Sequence, residues 1–178
     1  MDDLRVATRY VLDSAGPLPP LFEAAVPDDE RPRAAIDAAR AFVDGEARSR
    51  RQRVTSLAAH RAATAAPTES ARHAAQAAGD AAAAAYLHPP EQVRGWDSAI
   101  ARETQIGHVL RAPALAARIA ELAADGDRDV GEQSIAEAFR RASPQLVALV
   151  RRYPPIRPGR SRVAELMTLL DALFRGGA

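Results

Sequence analysis

The sequence predicts an all-α protein, a single-domain multi-helix bundle of about eight to ten helices around an Ala-rich central helix pair, and three observations carry that reading. Apolar residues recur at three- and four-residue intervals along nearly the whole chain. Alternating strand patterns and hairpin signals are missing, and Asp125-Gly126, which follows a helical pattern, reads as a helix stop. At 178 residues the chain is long enough to bury roughly two-thirds of its unfolded surface in one domain, 1–178.

The first helix uses Leu4, Ala7 and Val11 and stops near Gly16-Pro17. A short second one carries Leu18, Leu21, Phe22 and Ala25 and breaks at Pro27. Asp28, Asp29 and Glu30 before Pro32 open the third, because acids favour the positive end of the helix dipole and Pro is tolerated in the first turn. Its apolar stripe is Ile36, Ala39, Phe42 and Val43, ended by Gly45. From Ala47 to Ala66 a fourth helix aligns Val54, Leu57, Ala58, Arg61, Ala62 and Ala65. Pro67 ends it, and Thr68 caps the next.

The fifth helix, from about Glu69 to Leu87, places Ala71, Ala74, Ala75, Ala78, Ala81, Ala82 and Ala85 on one face, where such small side chains let a neighbour approach closely. His88-Pro89-Pro90 closes it, and a helix beginning at Pro90 and Glu91 runs through Trp96, Ile100, Ile106 and Leu110. Pro113 should kink or restart that helix, since it lacks the amide donor; the continuation ends at Asp125-Gly126. Val130–Ala142 and Pro144–Tyr153 follow, the second capped by Ser143. After a Pro/Gly-rich connection, 153–160, a helix over 161–175 docks Val163, Leu166, Met167, Leu170, Leu173 and Phe174 on the main body.

Composition excludes several functions. Without cysteine there is no disulfide framework, thiolate metal site or cysteine nucleophile, and a reducing, cytoplasmic setting is expected. The first residues do not read as a signal peptide, and no run approaches the roughly 18 apolar residues of a membrane span. All basic residues are arginine, which GC-rich coding explains most simply. A net charge of +1 gives no global field for nucleic acid or membrane. No phosphate loop, nucleophile elbow, dinucleotide fingerprint or HExxH is present, so no cofactor and no metal are expected.

The chemistry-bearing residues gather in the middle third, which holds His60, His73, His88 and His108 with Trp96, Tyr86, Glu103 and Gln105. His73, Gln76 and Asp80 share one face of the Ala-rich helix, where a His and an Asp could hold a proton-transfer pair; the reading favoured for them is its solvated side. If the helices flanking His88-Pro89-Pro90 pack antiparallel, then Tyr86, His88, Arg102, Glu103, Gln105 and His108 converge. With His60, they would line a pocket for acid–base work or a small-molecule ligand; otherwise His88 caps a turn and His108 is a satisfied core histidine. Arg48, Arg50, Arg51 and Arg53 crowd a helix start, against the dipole, and answer either to Asp44 and Glu46 or to an acidic partner. Without interleaved aromatics they are a weak DNA signal.

In order along the chain, LPPLFEAAVPDDERPRAAIDAARAFVDGE (18–46), AAHRAA (58–63), ARHAAQAAGDAAAAAYLHP (71–89), TQIGHVL (104–110) and RRYPP before GRSRVAELM resemble the all-helical putative immunity proteins of actinobacteria. The resemblance covers most of the chain. It implies a non-enzymatic helical module that binds and neutralises a cognate bacterial toxin, as in toxin–antitoxin competition, with the monomer and the homodimer both open. It imports no catalytic set; the matched positions that would mark a shared site include Asp29, Arg31, Arg33, Arg40, His60, Arg72, Tyr86, His88, Gln105 and His108. A basic toxin would need a local acidic patch, Asp28, Asp29 and Glu30 or Asp125, Asp127 and Asp129. The alternative is a small all-α enzyme or ligand-binding protein using His60, Tyr86, His88, Glu103 and His108.

Overall fold

The computed structural model describes residues 2–88 and 98–176, with the side chains of 98–103 outside the description. The described residues form nine helices and no strand: α1 (Asp2–Ala15), α2 (Pro19–Ala25), α3 (Arg31–Val43), α4 (Arg50–Ala65), α5 (Glu69–Ala84), α6 (Ser98–Ala123), α7 (Arg128–Arg140), α8 (Pro144–Arg151) and α9 (Arg162–Arg175). Boundaries follow local chemistry. The Thr68, Ser143 and Ser161 hydroxyls accept from the backbone N–H three residues on, and the Asp127 carboxylate accepts from Asp129 N–H. Gly176 closes α9 at φ 84°, a left-handed angle that glycine adopts without strain.

α5 is the axis of the molecule. Helices α1, α2, α3, α4 and α6 all pack on it, and Ala71, Ala74, Ala75, Ala77, Ala78, Ala81, Ala82 and Ala84 are fully buried. Ala77 and Ala84 lie on a different side of the helix from Ala71, so the small-residue surface extends round α5 rather than along one stripe. Neighbours therefore come close on several sides. Cross-helix bonds set the directions: Tyr86 reaches Ser49 while Asp80 faces His60, and Glu69 meets Arg118 while Asp80 meets Arg111. Both α4 and α6 thus run antiparallel to α5.

The remaining helices close the bundle around one apolar core. Arg5 on α1 donates to Phe42 O (2.8 Å) with its guanidinium over the Phe42 ring. α6, α7 and α9 pack together, and Phe174 meets Tyr10 and Phe139 edge-on. The Pro/Gly-rich connection before α9 is fastened down: Tyr153 and Ile156 are buried, Ile156 N–H donates to Asp171 Oδ2, and Arg175 donates to Tyr153 O.

Four expectations need correction. Of the residues aligned along neighbouring rows of α4, Val54 and Leu57 are 48% and 51% exposed, and Arg61 and Ala65 are exposed too. The buried row is Gln52, Ser56, Ala59, Ala62 and Ala63, because close approach to α5 selects small side chains over large ones. Helix α4 begins at Arg50, not Ala47, because Ser49 and Gln52 form a capping box. Leu21 is also exposed, leaving Phe22 to anchor α2. Pro113 lies inside α6, which continues through it without restarting. The turn at Pro89-Pro90, the helix start there and Trp96 lie outside the described residues.

Gln52 is a test of how the α4 start is held. Its Oε1 accepts from Ser49 N–H (2.9 Å) and its Nε2 donates to Ala38 O (3.2 Å), so one buried amide joins the cap to α3. Gln52→Ala should cost about 2 kcal/mol through a lost cap and an unsatisfied carbonyl. Chemical denaturation reads it, and a change below about 0.5 kcal/mol would show that water replaces both bonds.

Candidate functional site

Asp80 is the centre of the site. It sits on α5 with no solvent exposure, yet it carries a charge held from two sides. Arg111 on α6 donates through Nε to Oδ2 (2.7 Å) and through Nη2 to Oδ1, and His108 Nδ1 stands 2.8 Å from Oδ1. Burial pushes the Asp80 carboxyl up; the charge of Arg111, with the hydrogen bonds from His108 and Arg111, outweighs it and holds the group below its ordinary range. Since an ionised carboxylate only accepts, His108 Nδ1 is the donor.

His60 completes the cluster from α4. Its Nε2 lies 3.6 Å from Asp80 Oδ1, beyond hydrogen-bond distance. Burial keeps this imidazole below its usual value, against the pull of the Asp80 charge. Gly79 makes room for the ring, since a Cβ there would stand 2.7 Å from it. His60, Asp80 and His108 present ligand atoms all within 4.8 Å of one another, a spacing that could hold a metal ion. Such an ion would have to enter beside the Arg111 guanidinium, which already occupies both carboxylate oxygens.

Above this cluster lies a cleft of about 540 Å³ between α4, the C-terminal end of α5 and α6. It is lined by Arg48, Arg53, Ser56, Leu57, Ala83, Tyr86, His88, Gln105 and His108. Tyr86 donates to Ser49 O (2.5 Å) and its ring lies under the Arg48 guanidinium, 5.0 Å away. Gln105 Oε1 accepts from His88 N–H (3.0 Å), and His88 O accepts from Tyr153. The described residues lining the cleft include no acid.

The structure therefore brings Tyr86, His88, Gln105 and His108 together, with His60 joined through Asp80. Glu103 and Arg102 have side chains outside the described set. The solvated face expected for His73, Gln76 and Asp80 does not exist. His73 is buried between Gln76 and Glu69, and Asp80 is sealed under α4 and α6. His108 is satisfied by a carboxylate, and His88 is held by its backbone N–H and carbonyl. The other matched positions lie elsewhere. Asp28 and Asp29 are in the turn before α3, where Asp29 pairs with Arg31. Arg40 lines a hollow against α1, and Arg72 one near α9.

A family model described as Imm-5 like putative immunity protein matches residues 2–89, the stretch that carries α1–α5. Residues 2–89, just under half of the chain, are thus similar to this family. The all-helical fold agrees. The match is narrower than the resemblance read from the sequence, which extended to Thr104–Leu110 and beyond. Within the Imm-5 like region lie His60, Asp80, Tyr86 and the Arg48–Arg53 row, whereas His108 and Arg111 come from α6, outside it. No curated protein and no solved structure matches the chain. No helix among the described residues is long and apolar enough to cross a membrane.

Arg111 was missed because nothing near it in the sequence marks it; its partner lies 31 residues away. A weak signal existed at Asp80. At i±3 and i±4 it has Gln76, Ala77, Ala83 and Ala84, so an acid in an Ala-rich helix had no local base to pair with.

Proposed function

We propose that this chain is an immunity protein that neutralises a cognate toxin by binding it, without catalysis, at the surface formed by α4 and the adjoining cleft. The similarity of residues 2–89 to the Imm-5 like family supports a protein partner. The observation that carries the choice of surface is the outer row of α4, where Val54 and Leu57 stand exposed beside arginines. Exposed aliphatic side chains flanked by charge are what a protein interface covers. The buried Asp80 network beneath holds α4, α5 and α6 in fixed relation, so the surface is presented ready-formed, which limits the ordering that binding must supply.

The test is expression of the adjacent toxin-like reading frame in a host that it kills, with and without this chain, followed by purification of the tagged chain. Rescue of growth and a stoichiometric complex are expected. Rescue without a complex would mean that the chain acts on the toxin's product or target. Failure of both would sink the reading.

A further inference from the structure

The charge on α4 specifies what the partner brings. Arg48, Arg50, Arg51 and Arg53 make no ion pair with any described residue; neither Asp44 nor Glu46, the nearest acids in sequence, engages them. Elsewhere the described arginines are heavily used: Arg31, Arg33, Arg111, Arg118, Arg128, Arg162 and Arg175 all bind carboxylates. Arg50, Arg51 and Arg53 also crowd the first turn of α4, with Arg48 just before its cap, where the positive helix dipole repels them. Apart from the stacking of Arg48 on Tyr86, the free monomer gains no charge pairing from this placement, and an anionic partner would.

Geometry narrows the partner further. Arg50, Arg53, Val54, Leu57 and Arg61 recur at intervals of three and four, so they form one exposed stripe on α4 with aliphatic side chains between cations. Arg53 and Leu57 belong both to this stripe and to the cleft, whose wall also holds Arg48 and His108. Asp80 lends the cleft no net negative charge, because Arg111 neutralises it. The surface is thus complementary to a chain that alternates carboxylates with apolar side chains.

We propose that the toxin presents an acidic segment that lies along the outer face of α4, sets an apolar side chain between Val54 and Leu57, and places one carboxylate in the cleft near Arg53 and His108. This rests on the immunity reading and reverses the polarity expected from the acids at Asp28–Glu30, since the immunity protein supplies the basic surface.

The experiment measures binding of the full chain to the purified product of the adjacent toxin-like reading frame, at low and moderate salt. Arg48→Glu with Arg53→Glu should weaken association about 100-fold, and Leu57→Ala about 10-fold. Asp28→Arg with Asp29→Arg should change it less than about threefold, and wild-type affinity should fall as salt rises. Removing cations from the start of α4 should leave the melting temperature unchanged or higher; Arg53→Gln serves as a milder variant if the double reversal misfolds. A wild-type chain that does not bind overturns both readings. A wild-type chain that binds, with the α4 variants equal to it or with the Asp28/Asp29 variant the weakened one, overturns this inference alone.

Discussion

Arg111→Met should destabilise the protein by about 3 kcal/mol at neutral pH, a large part of the 5–15 kcal/mol that holds a typical domain together. The change leaves Asp80 fully buried with only the His108 hydrogen bond and the more distant His60 to answer its charge. The pH dependence identifies the cause. In the native protein the Asp80 carboxyl is held below its ordinary value. It therefore stabilises the fold above the unfolded-state value and gives that up as pH falls through the native one. Without Arg111 burial dominates and raises the carboxyl, so the sign reverses. The penalty is then present at neutral pH and is relieved as acid protonates the orphan group. Urea unfolding at pH 7.5 and pH 5 should show the gap between wild type and variant narrowing on acidification. Adding Asp80→Asn to Arg111→Met should recover at least half of the loss at neutral pH. A gap that is independent of pH would mean that Arg111 matters through its packing.

Gly131→Ala should cost about 2–4 kcal/mol, although alanine is favoured over glycine by about 1 kcal/mol inside a helix. The new Cβ would lie 2.0 Å from Glu121 Oε1 and 2.5 Å from its Cδ. Glu121 cannot swing aside at little cost. It is fully buried, Arg162 holds Oε1 through Nε (2.8 Å) and Nη2 (2.7 Å), and Arg118 holds Oε2 (3.1 Å). Moving it breaks the charged contact that joins α6 to α9, and it leaves a carboxylate partly unpaired inside the protein. Gly107→Ala is the matched control. Its Cβ would meet nothing within 4 Å, so that variant should gain about 0.5–1 kcal/mol. Thermal unfolding of both variants reads the contrast. Equal effects would show that the space beside Glu121 is not what keeps position 131 a glycine.

The elements were legible in the sequence wherever a local rule set them. Thr68 and Ser143 as caps, Gly45 and Asp125-Gly126 as stops and the small-residue character of α5 were all readable, because each depends on residues within a turn of one another. The face of α4 was not. Periodicity aligns Val54 and Leu57 with Ala58 and Ala62 without saying which row packs, whereas the packed row is Gln52, Ser56, Ala59, Ala62 and Ala63, chosen by how near α5 comes. The same limit hid the core of the site. An acid on an amphipathic pattern reads as solvated, and Asp80 is buried only because α4 and α6 close over it from far along the chain. The cleft residues Tyr86, His88, Gln105 and His108 were recoverable because the sequence signal His88-Pro89-Pro90 implies an antiparallel pair of helices.

The alanines of α5 also bear on the order in which the chain assembles. Alanine is the strongest helix former and has no side-chain rotamers to freeze, so the 69–84 segment is the part of the chain with least to lose by becoming helical before anything docks on it. Its Thr68 cap is local and needs no tertiary partner. In the denatured ensemble this segment should therefore show the largest fractional helicity. The Asp80 charge then acts as a late checkpoint, since a desolvated carboxylate can be accommodated only once α6 arrives with Arg111 in register.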